Sequence, residues 1–406
     1  MGSDLTRAAA VLIFLVTYAV LAVGRLPGFR IDRPAAAFLG AALMVAFGGL
    51  GLAEAWRAID MDTLALLLGM MVVVAALTRA GAFRLVVGWA VTRARHPLLL
   101  LAAIVLASGV LSAFLVNDTV CLVLTPLVLD LVARLRRRPV PYLLAIAMAA
   151  NVGSTATITG NPQNMIIGSL SRIPYGAFAR ALTPVAGVGL VLTVALIALV
   201  WREEFFTTGP LHAEPAPVHA SGPLVRLSVV ATGAMVAGFF AGVPPAIVAV
   251  LGGAVLLLVS RTKPEKFYAG IDGTLLLMFA GLFIIVAGME RAVLSPALLG
   301  AVTGLGLDRA WVLAALTATL SNVVSNVPAV LVLRPFIAHL ADPERAWLVV
   351  AMASTLAGNL TLLGSVANLI VAQQARLRGV HVGFRAYAVV GVPLTLLTLA
   401  AGVLLV

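Results

Sequence analysis

Charge is what this chain has least of. Only 11% of its 406 residues are Asp, Glu, Lys or Arg, against about 25% in a soluble domain, and the mean hydropathy is +1.11. An ordinary soluble globular domain is thereby excluded. Apolar runs of bilayer-crossing length recur along the chain, each a candidate span. One cysteine, Cys121, excludes an internal disulfide and a cysteine metal cluster. The five histidines fall in loops or at span ends. No Ser–His or Glu-x-x-His pair therefore stands at membrane depth, which leaves an intramembrane hydrolase without its machinery. No repeated ring of pore residues marks a channel. Acidic residues are scarcer than basic ones, 16 against 27, for a net charge of +11. That excess does not point to nucleic acid, because the arginines sit in short loops between apolar segments, as the positive-inside rule requires. A leader cleavage pattern is also missing, and Ala8–Val23 reads as a first span.

What the chain does have is a pair of polar, helix-breaking segments that occurs twice. The first pair is SAFLVNDTVCLVLTP from Ser112 to Pro126, then NVGSTATITGNPQNMII from Asn151 to Ile167. The second is TLSNVVSNVPAVLVLRP from Thr319 to Pro335, then AGNLTLLGSVANLIVA from Ala357 to Ala372. Such residues inside lipid-length apolar runs are expensive unless the broken backbone lines a protein cavity. Breaks at corresponding positions of two halves point to the binding site of a secondary transporter. Asn117 and Pro126 match Asn326 and Pro335 at an offset of 209, and Gly160 and Asn164 match Gly364 and Asn368 at an offset of 204. The difference falls in a loop, where insertions cost little.

These patterns predict an all-α polytopic membrane protein built from two inverted repeats, each of five spans with one re-entrant hairpin and one broken helix. Residues 1–201 form the first repeat, with its hairpin over 97–134 and its broken helix over 142–171. A cytoplasmic linker covers 202–223. Residues 224–406 form the second repeat, with its hairpin over 308–341 and its broken helix over 346–378. Ordinary spans are expected near Ala8–Val23, Pro34–Gly51, Asp62–Thr78, Tyr175–Trp201, Leu224–Phe240, Pro244–Ser260, Asp272–Ala287 and Phe384–Val406. Phe83–Arg95 and Glu290–Leu307 read as short interfacial helices leading into the hairpins. His212 and His219 read as solvated residues of the linker. Five crossings per half is odd, so the second half is inverted. This arrangement puts 19 of the 27 basic residues on one side: those in Arg25–Arg33, Arg79–Arg95, Arg134–Arg138, Arg202, Arg226, Arg261–Lys266 and Arg376–Arg385. That side is then the cytoplasm, both termini are extracytoplasmic, and the membrane is the cell's inner membrane.

Asp118 is the acidic residue that stands apart, at the tip of the first hairpin near the midplane. An ionisable group at that depth is a functional hypothesis by default, here a proton carrier. The other reading is an Asp that caps the second arm through backbone amides. Asn117 and Thr119 share this tip, and Ser325 and Asn326 form the second. Free amides of half-helix N-termini attract an anion, while unwound carbonyls and Asn or Ser oxygens suit a cation. In the broken spans Thr157, Thr159, Gly160, Asn161 and Asn164 form the first candidate set. Asn359, Thr361, Gly364, Ser365 and Asn368 form the second. No Lys or Arg stands beside them to clamp a multiply charged anion, and Arg334 reads as interfacial. No cofactor is implied.

At these residues the chain resembles the ion transporter superfamily, which includes arsenite permeases, divalent anion/sodium symporters, citrate transporters and sodium/proton antiporters of the melanosomal P-protein type. SAFLVNDTVCLVLTPLV is similar to the Asn-Asp-containing hairpin of arsenite permeases. TITGNPQNMIIGSL is similar to the Gly-Asn-Pro-x-Asn segment of anion permeases and P-protein-like members. The divalent-anion symporters carry Ser-Asn-Thr at both tips. Here Val116-Asn117-Asp118 and Ser325-Asn326-Val327 stand instead. The resemblance implies a scaffold domain of outer spans, with a homodimer made through it, and a transport domain that moves as an elevator. It further implies a proton-coupled transporter of a small anion or metalloid oxyacid. Two alternatives remain at this point: a sodium/proton antiporter, and a sodium-coupled dicarboxylate or citrate transporter with sodium at the hairpin tips.

Overall fold

The computed structural model describes residues 2–24, 31–93, 95–207, 222–260, 263, 265–293 and 304–406. Arg25, Arg30, Arg261, His212 and His219 lie outside the described residues. Among the described residues the chain forms helices and no strand. The first half holds α1 (Gly2–Val23), α2 (Arg33–Phe47), α3 (Leu52–Ala58), α4 (Met61–Ala80), α5 (Ala82–Arg93), α6 (Pro97–Phe114), α7 (Asn117–Arg134), α8 (Pro139–Ser154), α9 (Pro162–Ser171), α10 (Tyr175–Val200) and α11 (Arg202–Phe205). The second holds α12 (Gly222–Phe240), α13 (Pro245–Val259), α14 (Glu265–Tyr268), α15 (Gly273–Val293), α16 (Ala310–Val324), α17 (Asn326–Ile337), α18 (Pro343–Leu356), α19 (Val366–Leu377) and α20 (Phe384–Leu405). Seven of these are long and apolar enough to cross a bilayer, and five shorter helices are also apolar. This is a multi-pass membrane protein. Leu258 and Leu404 are 83% and 86% exposed, a surface that suits lipid rather than water.

Helix starts follow local capping chemistry. Asp32, Asp60, Asp272 and Asp342 each accept a backbone N–H three residues on, which satisfies one of the free donors at a helix N-terminus. Pro stands at the first or second helical position of α2, α6, α9 and α18, where its missing N–H costs nothing. At the other end of α4, Gly81 takes φ 82, the left-handed conformation that stops a helix.

Each expected span coincides with a helix, and the two broken spans break where Gly and Pro stand. The first pauses in a short 3₁₀ turn, Ile158–Gly160, between α8 and α9. The second pauses in Ala357–Asn359 and resumes at Val366. Both tips are breaks between consecutive helices: Leu115 and Val116 separate α6 from α7, and Ser325 alone separates α16 from α17. The arms of each pair pack on one another. α6 is itself long enough to be a span. Of the expected interfacial helix Glu290–Leu307, residues Glu290–Val293 instead continue α15, because its apolar run persists to that point. Residues 294–303 lie outside the described set.

The start of the linker is not a solvated loop. Arg202–Phe205 turns back and buries Phe205 edge-on against Tyr142, with ring centroids 5.5 Å apart. Glu204 accepts from the Tyr142 hydroxyl at 3.2 Å and pairs with Arg137 at 3.6 Å. An apolar ring and a satisfied carboxylate outweigh the polar composition there. Residues 208–221 of the linker are not described.

The helix contacts of the two halves correspond. α2 lies on α15 and α4 on α13; α1 touches α2 and α15, as α12 touches α13 and α4. α6 packs on α8 and α16 on α18; α7 meets α19 and α17 meets α9; α10 meets α20. Exchanging the halves maps these pairs onto one another.

Candidate functional site

The polar residues of the two broken spans meet in one buried network. Its centre is Asn151, near the end of α8 and 1% exposed. Its Oδ1 accepts from Asn117 Nδ2 at 3.1 Å and from Ser365 Oγ at 3.1 Å. Its Nδ2 donates to Asn359 Oδ1 at 2.9 Å and Asn368 Oδ1 at 3.1 Å. A primary amide has two donors and two acceptor lone pairs, so Asn151 is saturated. Asn368 in turn donates to the carbonyls of Gly358, at 2.7 Å, and Thr361, and Asn359 donates to Met148 O.

The first broken span is built likewise. Asn161 caps α9 by accepting from Asn164 N at 2.9 Å and donates to Ser154 Oγ and Thr355 Oγ1. Asn164 Nδ2 donates to Thr157 O at 2.9 Å and Ser154 O at 3.1 Å. Gln163 donates to Thr355 at 3.1 Å. Thr157 donates to Ala113 O, and Thr159 pairs with the Tyr175 hydroxyl at 2.8 Å. These side chains replace the ladder bonds that the break removes, as buried backbone requires. Gly160 has no substitute: a Cβ there would stand 2.2 Å from Ser154 O. At Gly364 it would crowd Asn322 Oδ1 and Gly358 O at 3.0 Å and Thr361 O at 3.2 Å.

The bonds across the halves are reciprocal. Ser365, which caps α19, and Asn368 within α19 reach Asn151 of α8. Asn161 and Asn164 of the first half reach Thr355 of α18, which stands 204 residues after Asn151. One buried polar layer therefore joins both broken spans.

The tips differ. At the first, Asn117 accepts from Asp118 N at 3.0 Å while its amide donates to Asn151. The Asp118 side chain is half-buried and, among the described residues, has neither a hydrogen-bond nor an ion-pair partner. Asp272 and Cys121 lie within electrostatic range of it. Asp118 thus does not cap α7 with its own carboxylate. Thr119 is half-buried in the first turn of α7. At the second tip Ser325 takes φ 78 and ψ 161, a region nearly reserved for glycine. The Ser321 hydroxyl lies between Asn326 Oδ1, at 2.7 Å, and Ser354 O, at 3.1 Å. Asn322 donates to Ala318 O and Ala357 O, and its buried Oδ1 has no donor among the described residues.

No Lys or Arg bonds to this network among the described residues. Arg334 pairs with Glu290 at 3.7 Å, away from it. A narrow crevice lined by Leu143, Ala147, Asn368, Val371 and Tyr387 runs beside Asn368. Sequence reasoning missed Asn151, Gln163, Ser321, Asn322 and Thr355 as network members. The available signal was position: Asn151 and Thr355 are polar residues in the last turn of the helix before each break.

Known proteins agree with this architecture. A family model described as a citrate transporter matches residues 12–357. An uncharacterized transporter of Mycobacterium tuberculosis is 30% identical over 96% of this chain and 96% of its own length. The silicon efflux transporter LSI3 of Oryza sativa subsp. japonica is 30% identical over 94% of this chain and 93% of its own. The putative transporter arsB of Dictyostelium discoideum is 25% identical over 97% and 90%. Among solved structures, Neisseria gonorrhoeae MtrF superposes with a TM-score of 0.64 at 11% identity, covering 98% of this chain and 94% of that one. The Alcanivorax borkumensis YdaH transporter does so at 0.59 and 16%, covering 100% and 97%. At such identities the likeness concerns fold alone. With the family model spanning most of the chain, the resemblance read from the hairpins and broken spans holds: this chain is a membrane transporter, not an enzyme, and belongs to the citrate transporter family of the ion transporter superfamily.

Proposed function

We propose that this protein is a proton-coupled secondary transporter of a small oxyacid, an uncharged metalloid hydroxide or a small anion. The observation that carries the reading is the neutral polar layer joining both broken spans, with the Asp118 carboxyl, unpaired among the described residues, at its edge. A site made of amides, hydroxyls and carbonyls can hydrogen-bond hydroxyls of a solute. Lacking a cation, it offers no compensation for the desolvation of a multiply charged one. A relative named for silicon efflux, and the similarity of the first hairpin to arsenite permeases, support the same class. Asp118 carries the coupling proton, since a lone carboxyl at a tip can gain and lose a proton as it changes sides. Asn117, Thr119, Thr157, Thr159, Gly160, Asn161 and Asn164 contribute from the first half, and Ser325, Asn326, Asn359, Thr361, Gly364, Ser365 and Asn368 from the second. The domain reading follows the packing. α6–α10 and α16–α20 form the transport body, and α1, α2, α4, α12, α13 and α15 form the scaffold against which it moves as an elevator.

One observation favours a second reading, coupling to sodium. Asn322 Oδ1 is a buried acceptor without a donor among the described residues, beside the carbonyls of Gly358 and Thr361, and oxygens of this kind suit a hard cation. A thermal-shift screen of the purified protein against silicic acid, arsenite, citrate, a dicarboxylate, sodium and lithium separates the readings, because only what binds the native state raises its melting temperature. Stabilisation by silicic acid or arsenite without sodium is the expected result. Stabilisation by citrate or the dicarboxylate alone overturns the oxyacid reading, and a sodium requirement replaces the proton with sodium.

A further inference from the structure

We propose that Asn151 is a positioning residue that couples the tip bearing Asp118 to the second broken span. The inference rests on the reading of Asp118 as proton carrier. The path is short and continuous. The Asn117 side chain accepts from the backbone N–H of Asp118 and donates to Asn151 Oδ1. Asn151 then holds Ser365, Asn368 and Asn359, the residues that cap and staple the second break. A shift of the Asp118 backbone on protonation turns the Asn117 amide. Asn151, with every donor and acceptor engaged, cannot absorb that turn without altering a bond to Ser365 or Asn368.

The asymmetry between the halves separates this role from stapling. Thr355 is the counterpart of Asn151 and bonds to Asn161 and Gln163 across the halves. It makes no bond to the second tip. There Asn326 is held by Ser321 of its own hairpin. Position 327, the counterpart of Asp118, is Val. Cross-half stapling is common to both copies, whereas among the described residues a tip Asn bonds directly to the stapling side chain only in the copy with the carboxyl; the second tip reaches α18 through the Ser321 hydroxyl and the Ser354 carbonyl instead. The titratable groups within electrostatic range of Asp118 are Asp272, which caps α15, and Cys121 on α7 itself. No Lys, Arg or His pairs with it among the described residues, so Asn117 and Asn151 form its hydrogen-bonded route to the second break.

A double-mutant cycle tests the coupling without a substrate. In full-length purified protein carrying Cys121→Ser, a cysteine placed at Leu363, 68% exposed in the second break, reports that segment through its alkylation rate with a maleimide. Asp118→Asn mimics a permanently neutral tip at constant pH. With Asn151 present it is expected to change the rate by at least about twofold, the low end of coupling between residues in one network. With Asn151→Ala added, the change disappears. Should Asn151→Ala fail to fold, Asn117→Ala cuts only the tip end of the bridge and carries the same expectation. An equal change in both backgrounds, or none in either, overturns the inference. If the cycle fails while Asp118→Asn still abolishes proton-driven uptake, only the bridge is lost. Uptake that survives Asp118→Asn instead sinks the proton reading, whatever the cycle shows.

Discussion

Asp118 and its neighbour Asn117 divide two tasks that one side chain often combines. The Asn117 side chain takes the free backbone N–H of Asp118, and the Asp118 carboxyl bonds to no described residue. Asp118→Asn keeps size and polarity but cannot exchange a proton. It is expected to abolish uptake driven by a pH gradient in proteoliposomes while substrate still raises the melting temperature. Uptake at the wild-type rate with unchanged pH dependence assigns Asp118 a structural role. The residue was legible in the sequence because an acid inside an apolar run is conspicuous. Asn151 was not, although it makes more side-chain bonds than any tip residue. Three of its four side-chain partners lie more than 200 positions away, so no local pattern announces them.

Helices α6 and α8 cross through glycine. A Cβ on Gly153 would stand 2.1 Å from Gly109 O and 2.4 Å from Gly109 Cα. Backbone cannot yield as a flexible side chain can, so Gly153→Ala is expected to destabilise the protein by about 1–3 kcal/mol, the usual cost of overpacking. It should lower the melting temperature in detergent. Gly187→Ala on the exposed face of α10, where a Cβ meets nothing within 4 Å, is expected to be neutral or to stabilise by about 0.5–1 kcal/mol, since Ala loses less backbone freedom than Gly in a helix. Equal behaviour of the two variants would refute the close crossing. The helices themselves were readable because apolar length, an Asp or Asn cap and a following Pro are local signals. α3, α11 and α14 were not, being short segments held by tertiary contacts rather than by propensity.

For the molecule as a whole, the distribution of basic residues predicts that Arg138 and His212 face the cytoplasm and Glu344 faces outside. Single cysteines at these positions in a Cys121→Ser background, probed in intact cells with a membrane-impermeant reagent, should label only at position 344. Labelling at position 212 from outside would overturn the inverted arrangement. Exchange of the halves preserves the packing pairs.

Class, span positions, the duplication and the places where helices break all came from one-dimensional patterns, because bilayer thickness, capping chemistry and helix-breaking residues act over a few turns. Which polar groups meet was settled only in three dimensions. Asn161 and Asn368 look alike in sequence, yet one finds a threonine and the other an asparagine in the opposite half. Asn322 ends with a buried acceptor that no described residue pairs, and Ser325 is held in a conformation that a serine avoids. Those outcomes depend on how two distant broken helices approach each other, and hydrogen-bond satisfaction in a water-poor interior selects the partners only once that approach is made.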